Sequence, residues 1–242
     1  MSLVGSKVVI VGGSSGIGLG AAFASLDQGA NVVIVGRSQD KLDAAVKELG
    51  KSRNITAIRA DVTREDETQK LFDAIGVFDH LIVTRGTPPL STPIPQLNIN
   101  EARQFVETML ISSFSLAKHA HATLRKGGSI TFTSGISKDK PPVSGGAVVA
   151  AVAGAMSYVV RALALELAPT RVNVISPGWV KTPMWDELVG EAKLGIWEQL
   201  AAKLPAGRIA TPQDIARAYV YLMESDLTTG TTLHIDGGHA LI

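Results

Sequence analysis

Six positions near the start of the chain have the types and spacing that grip a phosphate: Gly12, Gly16 and Gly18, with Ser14, Ser15 and Ile17 between them. The spacing is G-x-x-x-G-x-G. Gly12 permits a tight turn, Gly16 lets the backbone approach a pyrophosphate, and Gly18 lets a following helix pack close to its strand. The free N–H groups and the positive dipole end of that helix then face the anion. About twenty residues further on, an acidic residue would hold the adenosine ribose hydroxyl of NAD. This chain has Gly36-Arg37-Ser38 there. Gly36 leaves room, and the Arg37 guanidinium beside the Ser38 hydroxyl suits a 2′-phosphate through charge-assisted bonds. These residues predict NADP(H), whose chemistry is hydride transfer.

The elements that must position them are legible in the hydrophobic pattern. Lys7 to Val11 is a short apolar run and reads as a buried strand, followed by the glycine turn and a helix over Leu19 to Leu26. Further strands are expected at Asn31–Val35, Ile55–Ala60, Asp79–Val83, Gly128–Ser134, Arg171–Gly178 and Thr232–Gly238. Helices are expected at Lys41–Leu49, Arg64–Ile75, within Ile99–Leu124, at Gly146–Ala168 and at Asp214–Met223. Strand and helix alternate throughout, which implies an α/β fold: a doubly wound parallel sheet, the Rossmann arrangement, with helices on both faces. The helix from Gly146 to Ala168 has almost no polar face before Arg161. A surface helix of one domain buries only one side, so a second subunit is expected on the other, giving a homodimer or homotetramer.

Bulk properties narrow the function. At 242 residues the chain suits a single dinucleotide-binding domain over 1–242, and a hydrophobic fraction of 45% supplies its core. The formal net charge of +1 gives no field favouring nucleic acid or an acidic membrane, and no basic stripe with stacking aromatics is present. There are no cysteines, which excludes disulfides and thiolate metal sites. His119 and His121 lack the spacing of a metal pair, so no metal is expected. With no signal peptide and no uninterrupted apolar run of membrane-spanning length, the expectation is a cytoplasmic protein acting on a small molecule.

From Lys7 to Gly238 the chain resembles the short-chain dehydrogenase/reductase family. The resemblance rests on the glycine turn (with Val11 where the family has Thr), on Asp61-Val62, on Arg171-Val172-Asn173 before Ser176-Pro177-Gly178, and on Asp236-Gly237-Gly238. It implies that Asp61 and Val62 line an adenine pocket, although Asp61 reads equally well as a turn residue. Val83-Thr84-Arg85-Gly86 stands where the family has Asn-Asn-Ala-Gly. The resemblance puts Thr84 and Gly86 beside the cofactor, the glycine letting the backbone pass near a ribose. Pro177 and Gly178 open the nicotinamide-side loop, the backbone near Val180 would hold the carboxamide, and Thr182 would lie near the phosphates. The segment 184–210, carrying Trp185 and Trp197, would cover the substrate.

The same resemblance exposes what is missing. The family uses Tyr as the proton donor or acceptor at the substrate oxygen. Lys lowers the Tyr pKa and holds the ribose, Ser orients the carbonyl, and Asn supports a water that relays protons to Lys. Counting back from Arg161-Ala162-Leu163-Ala164 puts Tyr at Val149 and Lys at Ala153; counting back from Phe114 puts Asn at Met109. Ser134, or its neighbour Gly135, falls at the Ser position. Tyr158 lies nine positions past Val149, half a turn away at roughly 100° per residue. Thr84, Arg85, Lys138, Asp139, Lys140, Lys181 and Thr182 sit on loops after strands, and each reads first as a solvated loop residue. Two functions follow. One is an NADP(H)-dependent oxidoreductase with an atypical site and low activity on ordinary carbonyls. The other is a non-catalytic NADP(H)-binding sensor or partner-binding protein.

Overall fold

A computed structural model describes residues 3–50 and 54–242. Its parallel strands run β1 (Lys7–Val11), β2 (Asn31–Gly36), β3 (Ile55–Arg59), β4 (Phe78–Val83), β5 (Leu124–Thr133), β6 (Arg171–Pro177) and β7 (Thr232–Ile235). They form one sheet in the order β3-β2-β1-β4-β5-β6-β7. Strand order reverses between β1 and β4, and such a switch point opens a crevice at the C-terminal ends of the strands. The strands are near-continuous Val, Ile and Leu because both faces are covered.

One face carries α3 (Glu65–Ile75), α5 (Ser112–Thr123) and α6 (Ala147–Glu166), whose apolar sides meet Val9, Leu81, Ile130 and Val172. The other carries α1 (Gly16–Asp27), α2 (Gln39–Glu48) and α9 (Pro212–Glu224), packed on Val8, Ile10, Ile34 and Ile175. The helix α4 (Ile99–Val106) runs into α5 through a π-helical stretch over Glu107–Ile111. The segment after β6 holds two short helices, α7 (Met184–Val189) and α8 (Lys193–Ala201).

The 20-residue α6 is apolar, with a mean hydropathy of 1.9 over its best 18-residue window, and is interrupted by Arg161. It is bedded on the sheet through Val152, Ala153, Met156, Val160 and Leu163. Its outward residues Ala147, Ala151, Tyr158 and Leu165 are exposed in the single chain.

His80 on β4 is buried, with Nδ1 2.9 Å from Ser129 Oγ. Burial, and then the nearby Arg171 guanidinium, push its pKa from 6.5 down to about 4. The folded protein keeps this ring neutral, whereas the unfolded chain binds a proton below its ordinary pKa. Stability from this group is therefore complete above pH 6.5 and falls with pH, by roughly 2–3 kcal/mol on reaching pH 4.5. Urea melts at pH 7 and pH 4.5 should show that loss, and His80→Gln should remove most of the difference. Equal slopes with pH in the two proteins would show that His80 is not responsible.

Candidate functional site

The glycine turn sits at the switch point. Gly12 has φ +87°, a conformation that L side chains rarely adopt, and its N–H donates to the Val35 carbonyl at 2.8 Å. Thr84, leaving β4, donates to the Val11 carbonyl through both its N–H (2.8 Å) and its Oγ1 (3.1 Å). A Cβ on Gly18 would stand 2.2 Å from the Gly12 carbonyl oxygen and 2.4 Å from Thr84 Oγ1. No residue but glycine fits there, so α1 starts hard against the strand ends. Its N-cap, Ser15, makes no side-chain cap bond, and the first turn holds no acidic residue. The open N–H groups of that turn, Ile17 among them, are left for an anion. This cradle fits a pyrophosphate. Thr182 closes it from above: its Cγ2 lies 3.2 Å from where a Cβ on Gly16 would be.

At the tip of β2 the exposed Arg37 lies beside Arg59, while Arg64 at the start of α3 pairs with Asp66 and Glu67. The Arg59 Nε donates to the Arg37 carbonyl at 3.2 Å. Burial opposes ionisation of Asp61, but hydrogen bonds from Thr63 and the charges of Arg37 and Arg64 hold its carboxyl below the ordinary value. Asp61 is a turn residue, accepting from Thr63 N–H (3.1 Å) and Thr63 Oγ1 (2.7 Å), beside the buried Val62. Ser38 caps α2, its Oγ accepting from Lys41 N–H at 3.3 Å. Its own proton can still be donated. The Ser14 hydroxyl overhangs Gly36, 3.4 Å from where a Cβ there would be.

Toward the other end of the crevice, a Cβ on Gly86 would meet nothing within 4 Å. Pro177 ends β6, and Gly178 N–H donates to the Ile235 carbonyl at 3.0 Å. The Val180 carbonyl accepts from Trp185 Nε1 at 2.9 Å, so the indole holds that loop in place. Trp185 stacks on Trp179 with ring centroids 4.2 Å apart, and Lys181 lies 5.6 Å from the Trp197 ring centre. The loop after β4 and the loop before α6 meet here: a Cβ on Gly145 would fall 1.9 Å from the Ser91 carbonyl oxygen.

Val149 is half-buried and Ala153 is buried, while Tyr158 is exposed on the far side of α6. Met109 lies in the π stretch. Ser134 Oγ donates to the Ala153 carbonyl at 2.9 Å. The serine hydroxyl is therefore tied to the backbone at the very position where the family's lysine would stand.

Two of the loop residues expected in solvent are not there. Lys138 has only 11% of its side chain exposed and pairs with Asp139 and with His234 of β7, the latter at 2.8 Å. Arg85 is folded inward. Its Nε donates to the Thr108 carbonyl at 3.0 Å, and Nη2 donates to Ser112 Oγ (2.6 Å), Ser113 Oγ (3.1 Å) and the Met109 carbonyl (3.5 Å). Burial pulls its pKa down to about 10. The partners of both residues lie far off in sequence, so no local signal marks them.

The comparisons with known proteins agree with this geometry. A family model described as Enoyl-(Acyl carrier protein) reductase matches residues 11–240. The chain is 33% identical to the short-chain dehydrogenase/reductase ATR9 of Stachybotrys chlorohalonatus, over 97% of this chain and 96% of that one. The solved structure of the MalC reductase/Diels-Alderase from Malbranchea aurantiaca superposes with a TM-score of 0.91 at 27% identity, over 99% of this chain and 98% of that one. A small-chain dehydrogenase solved in complex with NADPH is 30% identical, with a TM-score of 0.82, over 98% of this chain and all of that one. With its sheet order, its glycine turn and its near full-length relatives in accord, this chain belongs to the short-chain dehydrogenase/reductase family of oxidoreductases.

Proposed function

We propose that the chain works as one dinucleotide-binding domain over 1–242, in the cytoplasm, as a homodimer or homotetramer. In this reading it is an NADP(H)-dependent oxidoreductase of low activity on ordinary carbonyl compounds. The observation that carries the cofactor choice is the basic tip of β2, where Arg37 and Arg59 stand together and Gly36 holds the place of a ribose-binding carboxylate.

The bound cofactor would supply hydride transfer. The chain's own residues do the rest. Gly12 to Gly18 and the first turn of α1, with Ser14, Ser15 and Ile17, hold the pyrophosphate, with Thr182 above it. Arg37 and Ser38 take the 2′-phosphate. Asp61 and Val62 shape the adenine pocket, and Thr84 and Gly86 border the ribose. Pro177, Gly178 and Val180 orient the nicotinamide side, and 184–210 excludes water over the substrate. Calorimetry should show NADPH binding tighter than NADH by about 1.5–3 kcal/mol, the scale of a charge-assisted bond. Arg37→Asp should remove most of that preference. Equal native affinities for the two would sink the assignment.

A second reading has its own observation. Ser134, the one hydroxyl near a position the family uses in catalysis, already donates to Ala153. A site so arranged suits an NADP(H)-binding sensor or partner-binding subunit. The two readings part on turnover, since only the first gives product.

A further inference from the structure

Arg85 is a half-buried cation with no carboxylate partner among the described residues. Its backbone lies against the glycine turn: a Cβ on Gly12 would fall 2.7 Å from Arg85 N and 2.9 Å from its Cα. From there its side chain crosses to the π stretch between α4 and α5. The four groups that accept from it are all neutral: two main-chain carbonyls and two serine hydroxyls. Those serines donate their own protons to the same two carbonyls, Ser112 to Thr108 and Ser113 to Met109. Arg85 and the two serines thus converge on the same pair of carbonyls in the π stretch. Among the described residues no carboxylate pairs with Arg85, and no hydrogen bond uses its Nη1. The bonds it makes solvate the guanidinium but do not cancel its charge.

Drawing a guanidinium partly out of water with no carboxylate partner carries a cost, and a neutral donor would have served to pin two carbonyls. What arginine adds is the charge itself, at one end of the crevice and gripping the carbonyl of Met109.

We propose that Arg85 supplies the fixed positive charge of the nicotinamide end, holding the π stretch through its carbonyls and favouring the uncharged reduced nicotinamide over the cationic oxidised ring. This rests on the NADP(H) reading above. Arg85 is a positioning residue in the first respect and an electrostatic one in the second, and the two can be told apart.

The experiment is calorimetric titration of the native chain, Arg85→Lys and Arg85→Met with NADPH and with NADP⁺, alongside thermal melts. The native chain should prefer NADPH over NADP⁺ by roughly tenfold or more, the scale of like charges across a protein interior. Arg85→Met should bring that ratio close to one, and Arg85→Lys should keep most of it. If Arg85→Met does not fold, Arg85→Gln carries the same expectation. A ratio in Arg85→Met equal to the native one, with both affinities unchanged or lowered together, overturns the proposal and leaves only a structural pin. A native ratio near one overturns it whatever the variants do. Failure of the native chain to bind either nucleotide sinks the NADP(H) reading and this inference with it, whereas binding with an unmoved ratio sinks this inference alone.

Discussion

Reduction of simple ketones, quinones and aldehydes by NADPH should run about 10²–10⁴-fold below an ordinary enzyme rate of roughly 10 s⁻¹. General acid catalysis is worth that factor, and in the proposed reading Val149 and Ala153 stand at the two positions that would provide it. Val149 offers no proton. Ala153 offers no charge to stabilise an alkoxide, and its carbonyl already accepts from Ser134. Tyr158 stands on the exposed side of α6, 72% open to solvent, and cannot reach the crevice. Nucleotide binding should survive, because the cradle at Gly12 to Gly18 and the basic tip at Arg37 are built from other elements. The check is a panel of carbonyl compounds with NADPH followed at 340 nm (a wavelength at which the reduced nicotinamide absorbs). Turnover at ordinary rates would show that another group gives the proton. Ser134→Ala would then be the first variant to make, and no loss of rate in it would move the site elsewhere.

The second large effect concerns assembly. The outer face of α6 shows Ala147, Ala151, Tyr158 and Leu165 to solvent, and the helices before it add Ile99, Ile111 and Phe114. Between α4 and α6 runs a groove whose lining is mostly apolar, Ile99, Ala102, Val106, Ala147 and Ala151 among it, with Arg103 and Glu107 also present. In the proposed oligomer this largely apolar surface is the contact between subunits. Light scattering at micromolar concentration should give the mass of a dimer or tetramer. Tyr158→Glu and Leu165→Glu together would place two carboxylates in the contact, at a cost of several kcal/mol, and should weaken association by two orders of magnitude or more. A monomeric native chain, or an assembly indifferent to those substitutions, would refute the arrangement.

Much of the fold was legible because a doubly covered parallel sheet writes its strands as apolar runs. β1 and the other inner strands fall within a few residues of their expected bounds. β5 is the exception: it starts at Leu124, not Gly128, because Leu124 pairs with Phe78 across a register shift before His80. The glycine turn was legible because sterics leave no alternative to Gly18. The side-chain networks were not. Arg85 finds its partners 23 to 28 positions on, and Lys138 meets His234 across 96 positions. Read locally, each is a charged loop residue. The π stretch was equally hidden, since the 3.6-residue pattern continues into it from α4.

The contact of Gly145 with the Ser91 carbonyl has a mechanical consequence. The loop that leaves β4 and the loop that leads into α6 touch backbone to backbone, with no side chain between them to act as a cushion. Displacing one pushes directly on the other, so the two behave as a single wall. The segment 184–210 is fastened to a different neighbour: Ala206 N–H donates to the Gly237 carbonyl at 3.0 Å, and the Ala210 carbonyl accepts from Lys181 N–H at 2.9 Å, so a shift of the turn after β7 is passed to it and not to that wall.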